Sequence, residues 1–181
     1  MKKLNNDIRG FSLVEVIIVV SIMSVIIGVI GYGVSLSSGK PAEECAKKLS
    51  AAISHGRTTT MGKYRNVITV KKEDDGRLTV TESTFSSESD ILNDSPSQKR
   101  FSTVGTKNVT VEYKIGTGSY VTMNNGDAIE LRYDSGSGAM KKTANSGTEC
   151  YTGFRISKAG KVWFVNMETL TGKVTASTTE T

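Results

Sequence analysis

Hydrophobic and polar positions divide this chain into two unequal parts. Residues 11–36 form a nearly unbroken apolar run, FSLVEVIIVVSIMSVIIGVIGYGVSL. As a helix, those 26 residues would rise about 39 Å, enough to cross a bilayer. A short polar leader, MKKLNNDIRG, precedes the run. From residue 37 the pattern changes. Ser37-Ser38-Gly39-Lys40-Pro41 breaks the run, and then Ala42, Cys45, Ala46, Leu49, Ala52, Ile53 and Gly56 recur at three- and four-residue spacing. That spacing predicts an amphipathic helix ending near Met61-Gly62, with Pro41 in its first turn and Glu43 and Glu44 near its positive end. The pattern leaves open whether this helix continues the apolar one through Pro41.

Beyond residue 62 the period drops to two. Asn66–Val70 and Arg77–Thr81 flank Asp74-Asp75-Gly76, a hairpin signature. Val109, Val111, Tyr113 and Ile115 alternate with polar residues, and Ala128–Tyr133 follows a turn at Asn124-Asn125-Gly126. Phe154–Ser157 and Val162–Val165 flank Lys158-Ala159-Gly160, a second hairpin, and a last strand is predicted from Gly172 to Ala176. Ser86–Ser97 and Ser135–Gly138 read as loops. The expected fold class is α+β: a long N-terminal helix, part membrane anchor and part amphipathic, packed on an antiparallel β-sheet or sandwich. The expected segments are a leader (1–10), an apolar helix (11–36), an amphipathic helix (37–62) and a β-rich domain (63–181).

Charge orients the anchor. The formal net charge is +5, of which the leader contributes +2. A basic leader keeps the N-terminal side in the cytoplasm, so the domain is expected outside. An ordinary secretory signal has a shorter apolar core and a small-x-small cleavage site behind it, for which Ser35-Leu36-Ser37 is a poor candidate. A plain signal anchor is the other rival. Two residues argue against both. Gly10 leaves the backbone open to a protease at the boundary. Glu15 is a lone carboxylate inside the apolar run, where burial costs about 2.5–3.5 kcal/mol and normally demands a partner. If the chain is cut after Gly10, Phe11 gains a free amine, and Glu15 lies one helical turn away from it. Snorkelling to the headgroups is the alternative role for Glu15.

The string R-G-F-S-L-V-E-V at Arg9–Val16 resembles the prepilin-peptidase recognition motif of type IV pilins and type II secretion pseudopilins. The resemblance rests on Gly10, Phe11 and Glu15. It implies cleavage after Gly10 by prepilin peptidase, N-methylation of Phe11, and use of Glu15 to neutralise an amine during filament assembly. It also implies partners: other pilin or pseudopilin subunits, an assembly platform protein, a cytoplasmic assembly ATPase, and membrane lipid before assembly. One departure is Gly28, Gly31, Tyr32 and Gly33 where many major pilins carry a helix-kinking Pro. Glycines there loosen a helix or admit close helix packing. Gly56–Met61 with Asn66–Val70, and Phe154–Val162, are similar to segments of H-type minor pseudopilins, although Gly56 replaces their usual Ala.

The remaining chemistry is sparse. His55 is the one histidine and has no visible catalytic partners. Glu88, Asp90 and Asp94, and the loops at Asp127 and Asp134, follow no EF-hand spacing. Gly116-Thr117-Gly118 and Gly136-Ser137-Gly138 lack the strand–loop–helix context of a phosphate site. No metal, cofactor or enzymatic activity is therefore expected. Cys45 and Cys150 are too far apart for a CxxC motif. They either pair, worth about 4 kcal/mol by loop-closure entropy, or remain two separate thiols. From Lys141 onward six basic residues (Lys141, Lys142, Arg155, Lys158, Lys161, Lys173) face three acidic ones. This is either a solvated basic face or a weak polyanion surface. In the second case the chain would be a filament-tip subunit contacting DNA or a surface through its β domain.

Overall fold

The structure, a computed structural model, describes residues 13–24, 39–62 and 65–180. The chain divides into two units, Met1–Ser37 and Ser38–Thr181. In the first unit, residues 13–24 form helix α1. Leu13, Ile17, Ile18, Val20, Ile22 and Met23 are all more than half exposed. Apart from Glu15, Ser21 and Ser24 the helix is apolar all round, the pattern of one that belongs in a non-aqueous setting. Its two serines satisfy themselves within it: Ser21 and Ser24 donate to the carbonyls of Ile17 and Val20, each at 2.8 Å. Among the described residues no helix is long and apolar enough to cross a membrane. The 26-residue span expected from the sequence runs past α1 at both ends, outside the described residues, as does the glycine-rich stretch 28–33.

The second unit opens with α2 (Lys40–Met61), whose N-cap is Gly39 and whose first turn holds Pro41 and Glu43. Two antiparallel sheets follow. The first, ordered β3-β2-β1-β6, comprises β1 (Arg65–Lys72), β2 (Leu78–Phe85), β3 (Gln98–Gly105) and β6 (Ala128–Arg132). The second, ordered β5-β4-β7-β8-β9, comprises β4 (Thr110–Ile115), β5 (Tyr120–Thr122), β7 (Tyr151–Lys158), β8 (Lys161–Met167) and β9 (Val174–Ser177). A short helix, α3 (Glu88–Leu92), separates β2 from β3.

The sheets are joined through α2, which touches β1, β2 and β3 of the first and β7, β8 and β9 of the second. Its buried face is Ala42, Cys45, Ala46, Leu49, Ile53, Gly56 and Thr60. Around it pack Ile68, Val70, Leu78 and Val80 from one sheet and Val111, Phe154, Ile156 and Val165 from the other. The expected apolar stripe is thus the buried face, with Ala52 at its margin.

Both expected hairpins form, with Lys72 opposite Leu78 and Lys158 opposite Lys161. Three elements depart from the sequence reading. The stretch 86–97 holds α3, closed by a reciprocal capping box between Ser87 and Asp90. The strands β3 and β5 carry no apolar alternation. At β3 the reason is position: it is a sheet edge whose first four residues are all exposed.

Gly56 explains how closely α2 approaches β1. A Cβ there would overlap Cδ1 of Ile68 and lie 2.6 Å from its Cγ1. Ile68 is fully buried, so its side chain can shift only by repacking the close-packed core around it. Gly56→Ala gains about 1 kcal/mol of helix propensity but overpacks the core by about 1–3 kcal/mol. The expected result is a lower Tm by thermal circular dichroism; a higher Tm would contradict this packing.

Candidate functional site

Glu15 lies in the first turn of α1 as described, exposed, with Val14 and Val16 beside it. Its neighbours along the helix are apolar through Val20. Gly10 and Phe11, the expected cleavage and methylation positions, lie outside the described residues. What the structure does supply is helical backbone at Glu15, which fixes where a side chain at this spacing projects. Residues four apart on a helix are neighbours, about 5–6 Å between Cβ atoms.

His55 Nδ1 lies 2.7 Å from Glu82 Oε2, and Arg100 Nη1 lies 3.1 Å from its Nε2. This suits the tautomer with the proton on Nδ1, donating to the buried carboxylate while the guanidinium donates to Nε2. Both ring nitrogens are then engaged, and the nearby Ser102 hydroxyl donates to the Val80 carbonyl instead. The cluster pins α2 to β2 and β3. No local pattern signals it, because Glu82 and Arg100 lie 27 and 45 residues from His55.

A second cluster sits on the other sheet. Arg155 grips Glu112 with two bonds of 2.5 and 2.6 Å and lies 4.8 Å from the Tyr120 ring centroid. The Arg155 bonds hold the Glu112 carboxyl below its ordinary range. Lys114 reaches Glu180 at 2.6 Å, and that bond likewise lowers the Glu180 carboxyl. Burial chiefly pushes the Tyr120 phenol up to about 12. These charges are matched in pairs and tie the C-terminal residues to β4.

The candidate acidic loops have local roles. Glu88 pairs with Arg65 at 2.9 Å. Asp134 Oδ1 accepts from the Gly136 and Ser137 amides and from the Ser137 hydroxyl, and the Ser137 amide is the leading cause that lowers its pKa. Among the described residues no three His, Cys, Asp or Glu side chains gather as metal ligands.

Cys45 and Cys150 are free thiols in this structure. Cys45 is buried against Gly105 in the core, where desolvation pushes its thiol up to about 12. Cys150 is half-buried at the margin of the same core, with Sγ 3.8 Å from the Met140 carbonyl.

The six basic residues of the C-terminal part do not form one face. Lys161 lies against Gly39 at the start of α2. Lys141 lines a small pocket with Thr60 at the other end of that helix, about 30 Å along its axis. Arg155 is consumed by Glu112.

The prokaryotic N-terminal methylation motif matches residues 5–31. This chain bears the prepilin leader signature of type IV pilins and pseudopilins. Comparison with curated proteins and with solved structures found no match. The pilin-like assignment therefore rests on the leader and the apolar segment, and Gly10, Phe11 and Glu15 all fall within the matched residues.

Proposed function

We propose that this pilin-like chain is a structural, minor subunit of a type IV pilus-like or pseudopilus filament. Prepilin peptidase cuts after Gly10, and the new Phe11 amine is N-methylated. The apolar helix first anchors the subunit in the cytoplasmic membrane with the β domain outside. In the filament the same helix packs among its neighbours, delivered there by the platform protein and the assembly ATPase. The β domain covers the outside. The observation that carries this reading is Glu15: an acid on an otherwise apolar helix, within the matched motif, at the spacing that meets a terminal amine on residue 11. A filament-tip role in DNA contact draws less support, because the six cations are not gathered on one face: Lys141 and Lys161 lie at opposite ends of α2, and Arg155 is paired with Glu112.

Intact-mass and N-terminal peptide mass spectrometry of the membrane fraction test the proposal. The expected chain begins at N-methylated Phe11. Gly10→Val, which blocks backbone access at the cut, is expected to leave the full precursor. A native chain beginning at Met1, or near Ser38, would overturn the reading.

A further inference from the structure

The chain enters the globular unit at Gly39, and the tip of the β7–β8 hairpin lies against that entry. A Cβ on Gly39 would meet the Lys161 side chain at 2.6 Å. The tip is a two-residue turn, Ala159-Gly160, in which both residues have positive φ. Such a turn sets Lys158 and Lys161 directly opposite one another. Like charges so placed are destabilising in a hairpin. Neither lysine has an acidic partner among the described residues, and nor does Lys40, the first residue of α2. The positive end of the helix dipole adds to the same field. Beside these cations Val162 is exposed and Trp163 is half-buried, with Lys47 Nζ 5.5 Å from its ring centroid. Unpaired lysines beside a small apolar tip and an indole have the composition of elements that sit at a bilayer surface.

Tethering selects the surface. Leu36 ends the apolar run, and the three residues from there to Gly39 reach at most about 11 Å fully extended. We propose that Lys40, Lys158 and Lys161, with Val162 and Trp163, form a face that docks on anionic phospholipid headgroups while the subunit waits in the membrane. The proposal rests on the membrane-anchor reading above. Each lysine near such a surface contributes about fivefold in affinity. Three give a contact strong enough to hold the tethered domain and weak enough to release it for assembly.

Trp163 is the chain's single tryptophan, so its fluorescence reports on this face without a label. The full chain is reconstituted into vesicles of phosphatidylcholine alone or of an equal mixture with phosphatidylglycerol, each carrying a headgroup-level quencher. Quenching is expected to be about threefold greater in the anionic vesicles and to fall to the neutral level in high salt. The double variant Lys158→Glu/Lys161→Glu is expected to lose the difference, while Lys99→Glu, an exposed cation on β3, keeps it. Circular dichroism confirms that the variants are folded, as expected for surface positions. Equal quenching in both vesicles, or a charge-reversed chain quenched like the native one, overturns the proposal. So does reversal by short duplex DNA at equal phosphate concentration, which would make the face a general polyanion surface. Alkaline extraction separates the two readings. A chain that is stripped from vesicles fails the anchor reading itself, whereas an inserted chain with no lipid-dependent quenching fails only the headgroup contact.

Discussion

Replacing Glu15 by Ala is expected to yield a chain that is cut after Gly10 yet leaves almost no filament outside the cell. Cleavage acts on the backbone at the leader boundary, four residues before the side chain that is removed. Assembly is different. Once Phe11 carries an amine, packing the apolar helices together withdraws that charge from water. Removing one partner of a buried ion pair costs about 3–5 kcal/mol, because the other charge is left uncompensated. At every subunit addition that is a factor of roughly 100 or more. Glu15→Gln, which keeps size and hydrogen bonding but not charge, is expected to fail similarly. Sheared surface protein measured by immunoblot against the membrane pool, with the N-terminal mass read in parallel, checks both halves. Native filament yield from the Glu15→Ala chain would refute the neutralisation role, while retained full-length precursor would place Glu15 in processing instead.

The largest effect on stability is expected at Gly172. It sits in the turn between β8 and β9 with φ +67°, and its amide donates to the Glu168 carbonyl at 2.8 Å. A Cβ there would overlap the carbonyl oxygen of Gly138, the same oxygen that accepts from Arg57 Nε at 3.1 Å. The obstacle is backbone, so a rotamer change cannot relieve it. The 134–140 loop would have to leave Arg57, breaking the junction between α2, that loop and the β8–β9 turn. Gly172→Ala is expected to cost about 3 kcal/mol or more, combining left-handed strain of about 1–2 kcal/mol with overpacking of about 1–3 kcal/mol. Gly160→Ala is the control. Gly160 has a similar φ, +75°, but nothing within 4 Å of an added Cβ, so only the strain is lost. Denaturant unfolding of both variants separates the two contributions. Equal losses at the two positions would show that the Gly138 contact carries no weight.

Much of the scaffold was legible because its signals are local. The stripe from Ala42 to Gly56 has the helical period, so α2 and its buried face follow from spacing alone. Asp74-Asp75-Gly76 and Lys158-Ala159-Gly160 announce hairpins because tight turns need residues that tolerate positive φ. The strand β3 was not legible. An edge strand is held by one neighbour's ladder and keeps most of its side chains in water, so its sequence need not alternate. The Ser87–Asp90 capping box was readable in principle, but a five-residue helix with no buried residue has no apolar period to draw attention to it.

The functional signal has the same division. By itself the sequence determined the Gly10-Phe11 boundary, the acid at Glu15, and the apolar run around it. The roles proposed for these residues rest on covalent spacing and solvation, which need no fold to be expressed. Tertiary structure alone decided the fate of the dispersed groups. It gave His55 to Glu82 and Arg100, matched Arg155 with Glu112, buried Cys45 in the core, and set Lys158 and Lys161 at the chain's entry. It also made Gly56 the clearance that Ile68 requires. Those outcomes depend on contacts between residues far apart in the chain, and periodicity carries no information about which distant strands a helix will meet.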